Sequence, residues 1–188
     1  MPRGAAIAIC LLCAATLAAA AVCPSPLALL VRSAERIVHV RVDSLTVETA
    51  AGQPFTRASA KVLDTLKGPR ETQLDLRVPG GRVGEFIVVV PGAPTLRVGE
   101  EYVAFLVRDD NPAFSQAAWR PFNLGEGLFV VIRKAGRIYA VQAATEAPRL
   151  FAACTDTPDN CLAQARANGE ELSALKTHIR EALAQGNP

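Results

Sequence analysis

Glu35-Arg36-Ile37-Val38-His39-Val40-Arg41-Val42-Asp43-Ser44-Leu45-Thr46-Val47 is the stretch on which the fold turns. Val38, Val40 and Val42 alternate with His39, Arg41 and Asp43, the period of two that marks a strand with one buried face. At Asp43-Ser44 the parity slips, and Leu45 and Val47 carry the apolar positions onward. A slip of one residue would turn the whole apolar set to the wrong face, so a bulge or bend is expected there. Long first strands that bend in this way are typical of small, tightly curled barrels.

The pattern extends outward from that strand. Ala51-Gly52-Gln53-Pro54 turns the chain into a second strand, Phe55 to Leu66, which Lys67-Gly68-Pro69-Arg70 ends. Thr72 to Val78 alternates cleanly, with Leu74, Leu76 and Val78 on one face. A Gly-rich loop, Pro79 to Gly84, follows. Glu85 to Val90 is apolar on both faces and is expected to be buried or covered. Glu101 to Arg108 places Tyr102, Ala104 and Leu106 on one side, and a last hairpin joins Leu128–Arg133 to Arg137–Gln142. Six or seven evenly spaced strands predict a mostly β fold, a small closed or partly open OB-like β-barrel. The tail changes period: Leu172, Leu175, Ile179, Ala182 and Leu183 form one apolar stripe, an amphipathic C-terminal helix expected to pack on the barrel. Asn168 is placed to cap it, with Glu170 and Glu171 in its first turn.

The first 21 residues read differently. Arg3 precedes an uncharged stretch from Ala5 to Ala21 that ends in small residues, the layout of a secretory signal peptide cleaved after Ala21. The expected organisation is a signal peptide at 1–21, a β-barrel domain at 22–150, and a disulfide loop with the C-terminal helix at 151–188. The destination is the periplasm or the exterior. Cys10 and Cys13 leave with the signal. Cys154 and Cys161 flank the turn Thr157-Pro158-Asp159-Asn160 and are expected to form a local disulfide. Cys23 is left over; a free thiol, exchange with that pair and an intermolecular bond all stay open. The residues before it, Ala20-Ala21-Val22, depart from a lipidation signal.

Charge excludes some functions. The formal net charge is +2, and the 16 arginines and 4 lysines are scattered among acidic residues. Aromatics are only 5% of the chain, so neither a basic stripe nor a stacking platform for nucleic acid is present. The signatures of zinc peptidases, α/β-hydrolases and phosphate-binding loops are absent. His39, on the polar face of its strand, and His178, beside the helix stripe, are the two imidazoles, and neither has a partner in sequence. Gly80-Gly81 with Gly84 has the composition of an anion-binding nest, but lies between strands, where a hairpin is the expected structure. Asp109-Asp110-Asn111 lacks the later ligands of a calcium loop and reads as a solvated turn. Catalytic residues, metal ligands and cofactors are therefore expected to be absent.

Two sets of residues carry a family resemblance across roughly Cys23 to Gln142. Cys23-Pro24-Ser25-Pro26, then Ala34 to Val40, then Val62-Leu63-Asp64-Thr65-Leu66-Lys67-Gly68-Pro69 resemble bacterial exported proteins related to netrin-like and tissue-inhibitor-of-metalloproteinase OB-fold domains. Val78-Pro79-Gly80-Gly81, Pro91-Gly92 and Leu96 to Leu106 resemble exported domains found alongside matrixin-type proteases. The resemblance implies an OB-like barrel without catalytic residues. In the inhibitors a leading cysteine binds the protease zinc; here Val22 precedes Cys23 and the Cys-x-Cys start is missing. The expected function is a non-enzymatic exported β-barrel binding a protein or envelope partner, with Cys23, Pro24, Ser25, Gly80 and Gly81 as candidate contacts. A metalloprotease inhibitor or protease-associated protein, and an enzyme whose site is assembled from distant residues, are the alternatives.

Overall fold

The computed structural model describes residues 25–134, 136–143 and 169–185. The expected signal peptide, Cys23, Pro24, the boundary at residue 150, the Cys154/Cys161 loop and the Asn168 cap lie outside these residues.

The described chain runs α1 (Leu27–Ser33), β1 (Arg36–Ala50), β2 (Gln53–Lys67), β3 (Gln73–Pro79), β4 (Gly81–Val83), β5 (Phe86–Val88), β6 (Glu101–Asp109), β7 (Ala118–Pro121), a 3-10 turn (Leu124–Gly127), β8 (Leu128–Lys134), β9 (Arg137–Gln142), β10 (Gly169–Glu171) and α2 (Leu172–Gln185). Eight strands form one sheet in the order β1-β2-β3-β7-β6-β8-β9-β10, and β1 also pairs with β6. The pairing β1-β2-β3-β7-β6 thus returns to β1 and makes the sheet partly ring-like. Only the contact of β3 with β7, at Leu76 and Trp119, is parallel. β4 and β5 form a separate two-stranded sheet.

The expected irregularity in β1 is present. Val42 pairs with Ala60 and Ser44 with Ser59, so Asp43 is the extra residue on its strand. Two further register shifts, Ile37/Val38 and His39/Val40, drop Leu66 and Leu63 from the β2 side. Such bulges raise the local twist and let β1 reach β2 on one edge and β6 on the other.

The two faces of the ring build two cores. Inside lie Val38, Val40 and Val42 with Ala58, Ala60, Leu76, Tyr102, Ala104 and Leu106, the residues the alternation assigns to the buried face. Outside, Ile37 of β1, Val103 and Phe105 of β6, and Phe129 and Val131 of β8 are covered by Leu30 and Val31 of α1 and by Leu175 and Ile179 of α2. Arg36 to Val40 of β1 and Tyr102 to Leu106 of β6 are therefore buried on both faces. The apolar stripe of α2 packs as its spacing predicts. Its start differs, because Glu170 and Glu171 belong to β10, which pairs with β9 at Ala140 and Tyr139. Backbone pairing to an open sheet edge takes precedence there over a first helical turn.

One end of the ring is closed by charge and aromatic surface. Arg36 is buried, donating to Glu71 Oε2 at 2.8 Å and the Pro69 carbonyl at 2.7 Å. Its guanidinium also lies 5.1 Å from the Trp119 ring centre.

Candidate functional site

The segment expected to be covered, Glu85 to Val90, is the most exposed apolar part of the described protein. Phe86 is 77% exposed, Ile87 59% and Val89 78%, with Val83 and Val88 exposed beside them. The cause is topological. β5 is three residues long, pairs only with β4, and joins neither edge of the large sheet. Apolar residues on both faces of a strand need a layer on each side, and the described residues supply neither.

The hairpin is nevertheless anchored firmly. Gly80 has φ of +94°, its N–H donates to the Pro54 carbonyl at 2.9 Å, and its own carbonyl accepts from Thr56 Oγ1 at 2.9 Å. A Cβ at Gly80 would meet the Val88 carbonyl oxygen at 2.7 Å, and one at Gly81 would meet Thr56 Oγ1 at 2.8 Å. Only glycine lets the hairpin base approach β2 and β5 so closely. Gly80 and Gly81 thus hold the hairpin, and the Gly80 amide is committed to Pro54. Gly84, with φ of +59°, is the first of the two loop residues, the position at which a type II′ turn takes glycine. Between hairpin and ring lies a cavity of about 280 Å³ lined by Leu45, Val47, Val78, Ile87, Val89 and Leu96 among others. Arg82 and Glu85 are the charges of the hairpin, and they offset each other.

A second groove, of about 470 Å³, lies between Phe55, Arg77, Asp109, Phe114, Arg120 and Pro121. Its charged floor is internally satisfied. Arg77 binds Glu48 at 3.0 Å, Asp109 at 2.8 Å and the Gln116 carbonyl at 3.0 Å, with Phe114 stacked 3.5 Å from its guanidinium carbon. Arg57 adds Asp75 at 2.6 Å, Glu48 at 3.1 Å and a contact with Gln116. This arrangement pins the β6–β7 loop to the outer face of β2 and β3. Asp109 is thereby an ion-pair partner of Arg77; Asn111 caps the turn by accepting from the Ala113 N–H.

His39 is 7% exposed, not the surface residue its strand face predicts, because α2 lies over it. Lys176 Nζ sits 3.3 Å from Nδ1, and Glu101 Oε2 sits 3.1 Å from Nε2. An ammonium can only donate, so Nδ1 accepts and the Nε2–H donates to Glu101. Burial first, then the Lys176 charge, hold the imidazole below its usual pKa and keep it neutral. Lys176 also donates to Asp64 at 2.8 Å, and Arg133 binds Glu101 at 2.8 Å. Burial alone would raise both carboxyls; these cations, with Arg180 near Asp64, bring them below the ordinary range. Both ring nitrogens of His39 are therefore spent joining α2 to β1, β2 and β6. His178 is exposed and pairs with Glu170 at 2.9 Å.

Ser25 is half-buried, its N–H donating to Glu126 Oε2 at 3.3 Å, so the start of the described chain is tied beside the 3-10 turn. Among the described residues no cluster of three or more His, Cys, Asp or Glu is placed to hold a metal ion, and no helix is long and apolar enough to cross a membrane. The signal available in the sequence for the hairpin was its bracketing by Gly80-Gly81, Gly84 and Pro91, breaker residues on both sides of a short apolar run. No known protein-family model and no curated protein matches the chain.

Proposed function

We propose that this is an exported, non-enzymatic domain that binds a protein or envelope partner through the β4–β5 hairpin. One observation carries the reading: Phe86, Ile87 and Val89 are held out in solvent on a hairpin whose base is locked by Gly80 and Gly81. Contiguous apolar surface of this kind on a folded domain marks an interaction site. Fully burying each such side chain contributes about 1.5–3 kcal/mol, and a rigid base spares the cost of ordering the loop on binding. The order β1-β2-β3-β7-β6 and its return to β1 support an OB-like, partly open barrel as the scaffold. Export rests on the signal-like residues 1–21. The family resemblance suggests a secreted metalloprotease as one partner.

A photo-cross-linking amino acid placed at position 86, and for comparison at exposed Lys61 on β2, tests this in cells that export the protein. A discrete envelope or secreted protein is expected to be captured from position 86 alone, and lost when Ile87 and Val89 are changed to serine. The same captured proteins from both positions, or none from position 86, refute it.

A further inference from the structure

We infer that the outer edge of β5 recognises its partner as an extended, uncharged strand that adds to the β4–β5 sheet, an inference that rests on the partner-binding reading above. The register decides which backbone groups are free. A two-residue loop makes Val83 and Phe86 a hydrogen-bonded pair, so Arg82 and Ile87 are the next, non-bonded pair and Gly81 and Val88 are bonded again. The N–H and C=O of Ile87 therefore point away from β4; Val89 follows one residue past the last pair, Gly81 and Val88. Beyond the pairing with β4, no backbone hydrogen bond engages residues 86–89 among the described residues. The main ring lies on the β4 side, where the Gly80–Gly81 base meets Thr56 and Val47. Among the described residues β5 is thus the open edge.

Natural edges are blunted by brevity, lysine, proline, a bulge or an inward charge. β5 is short, but residues 86–90 carry none of the other devices; Phe86-Ile87-Val88-Val89-Val90 is uninterrupted β-branched and aromatic sequence. A strand pairing there gains main-chain hydrogen bonds from the edge and specificity from alternate side chains. The 280 Å³ cavity beside Ile87 and Val89 offers room for one of those side chains. Arg82 and Glu85 cancel, so nothing at this edge selects a charged segment. A second copy is the poorer occupant, because a four-residue edge paired with itself buries far less than the roughly 800 Å² per partner of a standard interface.

The test uses the full chain and a capped peptide of alternating valine and threonine. Its counterpart carries an N-methyl group on every residue, which removes the donors of both strand edges and keeps the side chains. Amide hydrogen exchange is followed by NMR. The plain peptide is expected to slow exchange at Ile87 and Val89 by about tenfold or more, and the N-methylated peptide to leave both unchanged. Equal protection by the two peptides, or none by either, overturns strand pairing. Protection that grows with protein concentration alone makes β5 of a second copy the occupant and overturns the partner. Cross-linking from position 86 without exchange protection removes strand pairing and leaves the partner-binding reading intact.

Discussion

Replacing Arg77 by alanine removes a guanidinium shared by four groups: Glu48, Asp109, the Gln116 carbonyl and the Phe114 ring. The Arg77 side chain is 1% exposed, Asp109 11% and Glu48 26%, so the deletion leaves carboxylates short of a cation in a largely dry site. Breaking a buried pair from one side costs about 3–5 kcal/mol. Arg57 still holds Glu48 Oε1 at 3.1 Å, which leaves Asp109 and the Gln116 carbonyl as the main orphans and favours the lower end, about 3 kcal/mol. In a chain of this length each kcal/mol moves the thermal midpoint by about 2–4 °C, so a drop of about 6–12 °C is expected. Urea unfolding at neutral pH measures the free energy, and repeating it at high salt separates burial from surface charge, because a dry pair is screened little. Arg77→Met combined with Asp109→Leu removes both charges together and is expected to recover most of the loss. A cost for Arg77→Ala below about 1 kcal/mol, the range of an exposed pair, refutes the argument that this cluster fastens the β6–β7 loop.

The folded protein resists protonating His39, whose pKa lies below 6.5, while the unfolded chain accepts the proton. This contribution to stability is therefore complete above about pH 6.5 and declines as the pH falls toward the folded value. Urea midpoints at about pH 7.5 and about pH 5.5 are expected to differ less in His39→Gln than in the parent. Asp64 and Glu101, both lowered, contribute stability that is lost further down, as the pH falls below about 4. Ile179→Ala empties a fully buried position between α2 and the sheet and is expected to cost about 2–5 kcal/mol, read in the same urea experiment. Gly127→Ala is expected to abolish soluble expression, since its Cβ would lie 2.5 Å from the Phe122 carbonyl oxygen and 2.9 Å from that of Phe105. Gly99→Ala meets nothing within 4 Å and costs only the strain of its φ of +84°, about 1–2 kcal/mol.

Alternation found the strands that face the interior of the ring, because their pattern is written in one strand at a time. Val38, Val40 and Val42, and Tyr102, Ala104 and Leu106, needed no knowledge of the rest of the chain. The slip at Asp43-Ser44 was legible for the same reason. β4, β7 and β10, three or four residues each, are too short to carry a period, and α1 follows Pro26 with no side-chain cap to announce it. The start of α2 was misplaced because β10 depends on an edge that only β9 provides.

The outer faces invert the sequence pattern, and one cause accounts for both directions of the error. His39 and Arg77 read as solvent residues on half-buried strands, yet they are buried under α2 and the β6–β7 loop, each with charged partners drawn from distant segments. Phe86 to Val89 read as a buried or covered strand, yet no described residue is laid over them. Period reports which side chains share a face; it is silent on what covers that face. This domain covers its outward charges, a costly arrangement that requires two separate networks of partners. Its described residues leave its most apolar strand bare on a glycine-locked base. Hydrophobic collapse by itself favours the reverse. A strand that the described residues leave bare and hold this rigidly fits the proposed partner surface, and the β5 edge is where that partner is to be sought.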